Sequence, residues 1–281
     1  MKKTKLNGNT ILLLITIALF AVMYAGGMVA YGARGFSRLQ TFCDILKTNA
    51  GLICMASGLT VVMLTAGIDI SVGALVAMDC MILATGMEAG IGAIPMMLIV
   101  IVIGLVFGAV QGFLVGYLEI QPFIVTMAGM FFARGMTAVI STDQKSITEQ
   151  INPLFYKLAN IKIKLPFGGY TNRKGVYMAP NISVGVVIAL LVLVLIFLML
   201  RYTKFGRSLY AIGGSEQSAA MMGLNVKFTK MKAYILSSLL TSIGAICFCL
   251  NTMAASVQRW LQPVIFTQTR IGRGNRAFRV M

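Results

Sequence analysis

The chain has 281 residues, 58% of them hydrophobic and only 11% charged, and its mean hydropathy is +0.86. A soluble domain carries roughly a quarter charged residues, so this composition excludes one. The formal net charge of +16 would suit nucleic acid, but the basic residues cluster between apolar runs and at both ends, as they do beside membrane helices. Strand-binding proteins instead interleave a basic surface with exposed aromatics, and no nucleic-acid partner is expected.

Several chemistries are closed off as well. There is no His, which removes Ser-His-Asp and Cys-His catalysis and a His metal site. The eight acids are scattered singly and offer no carboxylate cluster. Cys43, Cys54, Cys80, Cys247 and Cys249 lie in or beside apolar runs without C-x-x-C spacing, and read as small buried hydrophobes. No G-x-x-x-x-G-K-[ST] loop occurs to cradle ATP phosphates. The expectation is a chain that is not an enzyme and holds no cofactor or metal.

In chain order, Lys2, Lys3 and Lys5 precede a first apolar run, Ile11–Tyr31. About 20 apolar residues cross a bilayer as a helix. This run continues through Tyr31 without a small-x-small cleavage site, so it reads as a retained span and not a signal peptide. Further spans are expected at Asn49–Ala66, Ser71–Met87, Ile91–Leu118, Pro122–Ile140, Ile182–Leu200 and Met231–Ala254. The fold class is an all-α polytopic membrane protein of about seven helices, with residues 1–258 as the transmembrane domain. The basic start places the N-terminus in the cytoplasm.

Between the second and third spans the chain reads Gly67-Ile-Asp69-Ile-Ser71-Val-Gly73. A charge at the bilayer centre is disfavoured, so Asp69 belongs near water or a cavity. Gly67 and Gly73 let the backbone turn, and Ser or Asp can cap the freed N–H groups. The segment reads as a helix junction, or as a plain tight turn. In the fourth span Gly104, Gly108, Gly112 and Gly116 form a bare stripe, which serves packing within one subunit or between two. Glu119 is expected at the cytoplasmic interface.

The link Ser141–Asn181 should lie outside, despite six Lys or Arg. The link Arg201–Lys230 carries Arg201, Lys204, Arg207, Lys227 and Lys230 against Glu216 alone, and six spans return it to the cytoplasmic side. Gly213 and Gly214 break the chain there, Ser215 can N-cap, and Glu216 suits the positive helix start. Gly223 ends the helix. The resulting Glu216–Met222 is too short to be stable alone, and its face of Ala219, Ala220, Met221 and Met222 needs a groove, on a peripheral protein or on its own membrane domain.

Gly67–Gly73, Phe123–Gly135 and Gly206–Asn225, in that order, resemble permease subunits of carbohydrate-type ABC importers of the ribose, galactoside and galactofuranose kind. The resemblance runs from about Cys43 to Gln258. It implies a multi-pass protein of the cell inner (plasma) membrane, embedded in lipid, with three kinds of protein partner. An extracytoplasmic sugar-binding protein would deliver a monosaccharide, a second permease (the same or a similar chain) would share the pathway, and a cytosolic ABC ATPase would bind the ATP. Glu216–Met222, with Gly206, Gly213 and Gly214, is similar to the coupling helix that rests on that ATPase. Arg134, about 18 Å from Pro122 along its span, would pair with an acid such as Asp79 or donate to sugar hydroxyls. The alternative is an ion-coupled secondary transporter of a small polar solute, for which Asp69 and Asp79 are the candidate intramembrane acids.

After Gln258 the resemblance stops. Residues 259–281 hold Arg259, Arg270, Arg273, Arg276 and Arg279, no acid and no spanning run. Seven spans would put this basic tail outside, against the positive-inside tendency. A truncated or frameshifted product lacking further helices is the expectation.

Overall fold

The computed structural model describes residues 8–32, 36, 39–164, 166, 169–171 and 177–255. Each expected span coincides with a helix: α1 (Gly8–Tyr31), α2 (Leu39–Met63), α3 (Val72–Glu88), α4 (Ala93–Gly116), α5 (Pro122–Ile140), α7 (Val184–Tyr202) and α10 (Val226–Thr252). Three shorter helices fill the links, α6 (Pro153–Asn160), α8 (Lys204–Gly214) and α9 (Glu216–Met221). The basic tail at 259–281 lies outside the described residues.

Six helices are long and apolar enough to cross a membrane, and α3 is not among them. Its 17 residues reach about 26 Å at 1.5 Å per residue, at the short end of what spans a hydrocarbon core of about 30 Å. On this helix Leu75, Val76, Cys80, Met81, Leu83 and Met87 are all enclosed by protein. α2 departs in the other direction, starting at Leu39, ten residues before the apolar run at Asn49. A helix continues through polar residues such as Asp44 and Lys47 wherever its end leaves the hydrocarbon, and hydropathy does not register that extension.

Contacts divide the chain into two units, one from Met1–Lys47 and Lys162–Ile182, the other from Thr48–Ile161 and Ser183–Met281. In the first, the Tyr24 ring on α1 lies 5.4 Å from Phe36 and 6.4 Å from Phe42, centroid to centroid. The backbone N–H of Asn181 donates to Gln40 Oε1 at 2.8 Å.

The second unit is organised around α10, its longest helix at 27 residues. The glycine stripe of α4 lies directly on it. A Cβ at Gly108 would come within 2.8 Å of the Tyr234 carbonyl, at Gly112 within 2.7 Å of the Met231 carbonyl, and at Gly116 within 2.6 Å of the Lys227 carbonyl. At Gly104 it would collide with the Ser242 hydroxyl. The stripe therefore packs two helices of one chain backbone to backbone, the close approach that small residues permit in lipid. Val102, Val106, Val110 and Phe113, on the other side of α4, are exposed. At the far end of α10, Ala254–Ala255 pairs antiparallel with Lys145–Ser146, and Lys145 Nζ meets Glu88 Oε2 at 2.8 Å.

Candidate functional site: a buried helix junction and a capped helix in the link

After α2 the chain closes with a left-handed residue, and it is Ala66 (φ 56°). The turn was expected of Gly67 or Gly73, so this is a correction. Gly67 is required by space instead, because a Cβ there would lie 2.9 Å from Tyr234 Oη. Gly73 sits in the first turn of α3 with nothing within 4 Å of an added Cβ, and neither close packing nor a turn calls for it.

Asp69 is buried between the two helices, 7% exposed. Its Oδ1 accepts from the Ser71 N–H at 3.0 Å and the Ser71 hydroxyl at 2.6 Å, and its Oδ2 accepts from Ser237 Oγ at 3.2 Å. Gln111 Nε2 on α4 donates to Ser71 Oγ at 3.0 Å. Tyr234 Oη donates to the Ile68 carbonyl at 3.3 Å. Ser71 occupies the N-cap of α3 without a side-chain cap bond, because its hydroxyl is turned to Asp69. A buried carboxylate is tolerated when its lone pairs are met, and three donors meet these. The break is thus held by α4 and α10, not by solvent.

Asp79 and Arg134 do not pair. Asp79 is fully buried on α3, and its Oδ2 accepts from Ser242 Oγ on α10 at 2.6 Å. Its other oxygen has no partner among the described residues. Arg134 is exposed. Ala133 and Thr137 occupy the buried side of α5, Ala133 packed beside Ala74, Leu75 and Met78 of α3, and one residue of helix rotation carries Arg134 away from that face.

In the link after α7, the Thr203 hydroxyl accepts from the Gly206 N–H at 3.1 Å and caps α8. The sequence pattern marks Gly213 and Gly214 as breakers and does not show this helix, Lys204–Gly214. Gly206 and Gly213 lie within α8 because their faces press on the carbonyls of Leu200 and Leu64, and Gly214 is its last residue. Ser215 then caps α9, its Oγ accepting from the Ser218 N–H at 3.3 Å. Gly223 ends that helix at φ +81°, with the Leu224 N–H donating to the Ala219 carbonyl at 3.1 Å, as in a Schellman cap. Glu216 Oε2 meets Lys230 Nζ at 2.7 Å.

The outward face of α9 differs from expectation. Ala219 is fully buried against Ile212 and Val226, so it anchors the helix to its own chain. Met221 is 86% and Met222 69% exposed, and Ala220 is exposed beside them. In the preceding α4–α5 link, Glu119 Oε1 meets Lys227 Nζ at 2.8 Å. That pair holds the Glu119 carboxyl below its ordinary range, first by the hydrogen bond and then by the lysine charge.

A family model described as "Branched-chain amino acid transport system / permease component" matches residues 41–273. The chain belongs to this family of permeases. It is similar to the fructose import permease protein FruG of Bifidobacterium longum, 36% identical over 254 residues that cover 90% of this chain and 72% of that one. It is also similar to the inner membrane ABC transporter permease protein YjfF of Escherichia coli, 34% identical over 243 residues, 86% and 69% of the two chains. The ribose import permease protein RbsC of Escherichia coli is 29% identical over 229 residues, 82% and 67% of the two. No solved structure matches the chain. The permease is a multi-pass protein of the inner membrane. Its junction residues Gln111, Tyr234, Ser237 and Ser242 escaped sequence reading. Their signal was present as polar side chains inside otherwise apolar runs.

Proposed function

We propose that this permease is the membrane subunit of an ATP-binding-cassette importer and carries a monosaccharide handed over by an extracytoplasmic binding protein. It would share the pathway with a second permease and take its energy from a cytosolic ATPase, itself binding no nucleotide and catalysing nothing. The observation that carries the reading is α9, a six-residue helix capped at both ends and tethered through Ala219, with Met221 and Met222 held outward. So short a helix does not persist alone. An exposed pair of flexible apolar side chains on a fixed support suits a groove on another protein. The sugar class follows from relatives named for fructose and ribose import, whose similarity to this chain also favours it over an ion-coupled carrier.

The test is uptake by the reconstituted complex of permeases, ATPase and binding protein. Uptake should require ATP and the ATPase and be indifferent to dissipated ion gradients. Uptake that persists without the ATPase, driven by an ion gradient, would overturn the reading.

A further inference from the structure

Among the described residues, the one charged side chain of α5 has no ion-pair partner. Arg134 is exposed on this spanning helix, and it takes part in none of the three ion pairs formed among the described residues. It lies about 18 Å from the Pro122 end and about 9 Å from the Ile140 end. A guanidinium at that depth is disfavoured against acyl chains and belongs in water or against a polar partner. Its surroundings on the same open face are specific. Gly135 has nothing within 4 Å of an added Cβ, Ala138 is exposed, and Phe131, one turn before Arg134, is 59% exposed. Small residues leave room beside the guanidinium, and an aromatic face lies next to it.

We propose that Arg134 lines the water-filled transport pathway and, with Phe131, forms a contact site for a neutral polyhydroxylated solute. The inference rests on the permease reading above and names where in the chain the solute is met. The guanidinium offers five N–H donors in a fixed plane, which suits hydroxyl oxygens, while the Phe131 ring takes the apolar C–H face of the solute. Gly135 and Ala138 put no bulky side chain beside the guanidinium.

The experiment uses the whole complex in liposomes and a membrane-impermeant, charged methanethiosulfonate reagent. The five native cysteines are buried, so the parent gives the baseline. Arg134→Cys and, as a variant that keeps the arginine, Ala138→Cys should each react on the order of tenfold faster than Val106→Cys on the exposed side of α4, since a thiol is reactive only in a polar setting. Both rates should change severalfold between the nucleotide-free and ATP-trapped complexes. Failure of both positions to react would place this face against lipid or a partner subunit and overturn the proposal. Equal reactivity in the two nucleotide states would overturn it too, since the residue would then sit at the outer headgroups, within reach of a long arginine side chain. Co-purification of the ATPase is scored separately: its absence counts against the importer reading, whatever the labelling shows.

Discussion

Ser237 Oγ on α10 donates to Asp69 Oδ2 across 3.2 Å, and this bond joins the break between α2 and α3 to the interior of the longest helix. One turn earlier Tyr234 donates to the Ile68 carbonyl, and five residues later Ser242 donates to Asp79. At its start the same helix meets Glu216 of α9 through Lys230. Polar side chains along α10 therefore meet the capped helix in the link and both intramembrane acids.

Asp69→Asn keeps an acceptor for the Ser71 N–H but presents an NH₂ group where Ser237 or Ser71 now donates. One of the three bonds must be remade. The expected outcome is a severalfold drop in ATP-dependent uptake with membrane level near that of the parent. Asp69→Ala, which leaves Ser71 and Ser237 without their acceptor, should also lose on the order of 1–3 kcal/mol of stability. Uptake and thermal unfolding in detergent, compared at matched membrane levels, decide the matter. An uptake-silent Asp69→Asn would show that the junction is only a turn.

Sequence made the membrane architecture legible because apolar runs near bilayer length are a strong signal. The capped α9 was legible for a similar reason: Ser215, Glu216 and Gly223 sit where helix ends need them. Other features depended on tertiary contact. The left-handed turn fell on Ala66, where no local rule favours a non-glycine residue. Gly213 and Gly214 read as breakers, yet both belong to α8, where the Leu64 carbonyl presses on Gly213. The inward turn of Ala219 follows from Ile212 and Val226, which no six-residue window contains. Arg134 and Asp79 looked like partners by charge and apolar setting. The rotation of α5 against α3 separates them.

The glycine stripe should tolerate no branched side chain. At Gly112 an added Cβ meets the Met231 carbonyl at 2.7 Å and its Cα at 2.9 Å, and backbone cannot move aside as a side-chain end can. Gly112→Val must push α4 from α10, at a cost of about 1–3 kcal/mol or more for overpacking. Lower membrane abundance and a lower unfolding temperature are expected, whereas Val106→Ala on the exposed side should leave both nearly unchanged. Equal abundance of Gly112→Val and the parent would contradict the close approach.

The Glu119–Lys227 pair predicts a weak pH dependence of definite sign. Its lysine partner lowers the Glu119 pKa from the ordinary 4.5, so the pair's contribution is present above that value and lost as the pH falls through the lowered one. Both side chains are largely exposed, and screening keeps such pairs small. Glu119→Gln should therefore unfold at nearly the parent's temperature at neutral pH, with any difference vanishing on strong acidification. A difference that grows as the pH falls would reverse the sign and refute the assignment.

The two sides of α9 make separable predictions. Ala219 is fully buried beside Ile212 and Val226, so Ala219→Glu places a charge in an apolar cluster without a partner, which costs several kcal/mol. That variant should lower membrane level and detach the link from its own chain. Met221→Glu with Met222→Glu changes only exposed side chains, so membrane level and unfolding temperature should stay near the parent's. If α9 is the docking helix, the same double variant should lose most of its ATPase in a pull-down and most of its ATP-dependent uptake. The two readouts separate folding from docking. Full ATPase recruitment by a well-expressed Met221→Glu, Met222→Glu double variant would move the contact off this helix, leaving the exposed face of α8, with Lys204, Arg207 and Tyr210, as the next surface to mutate.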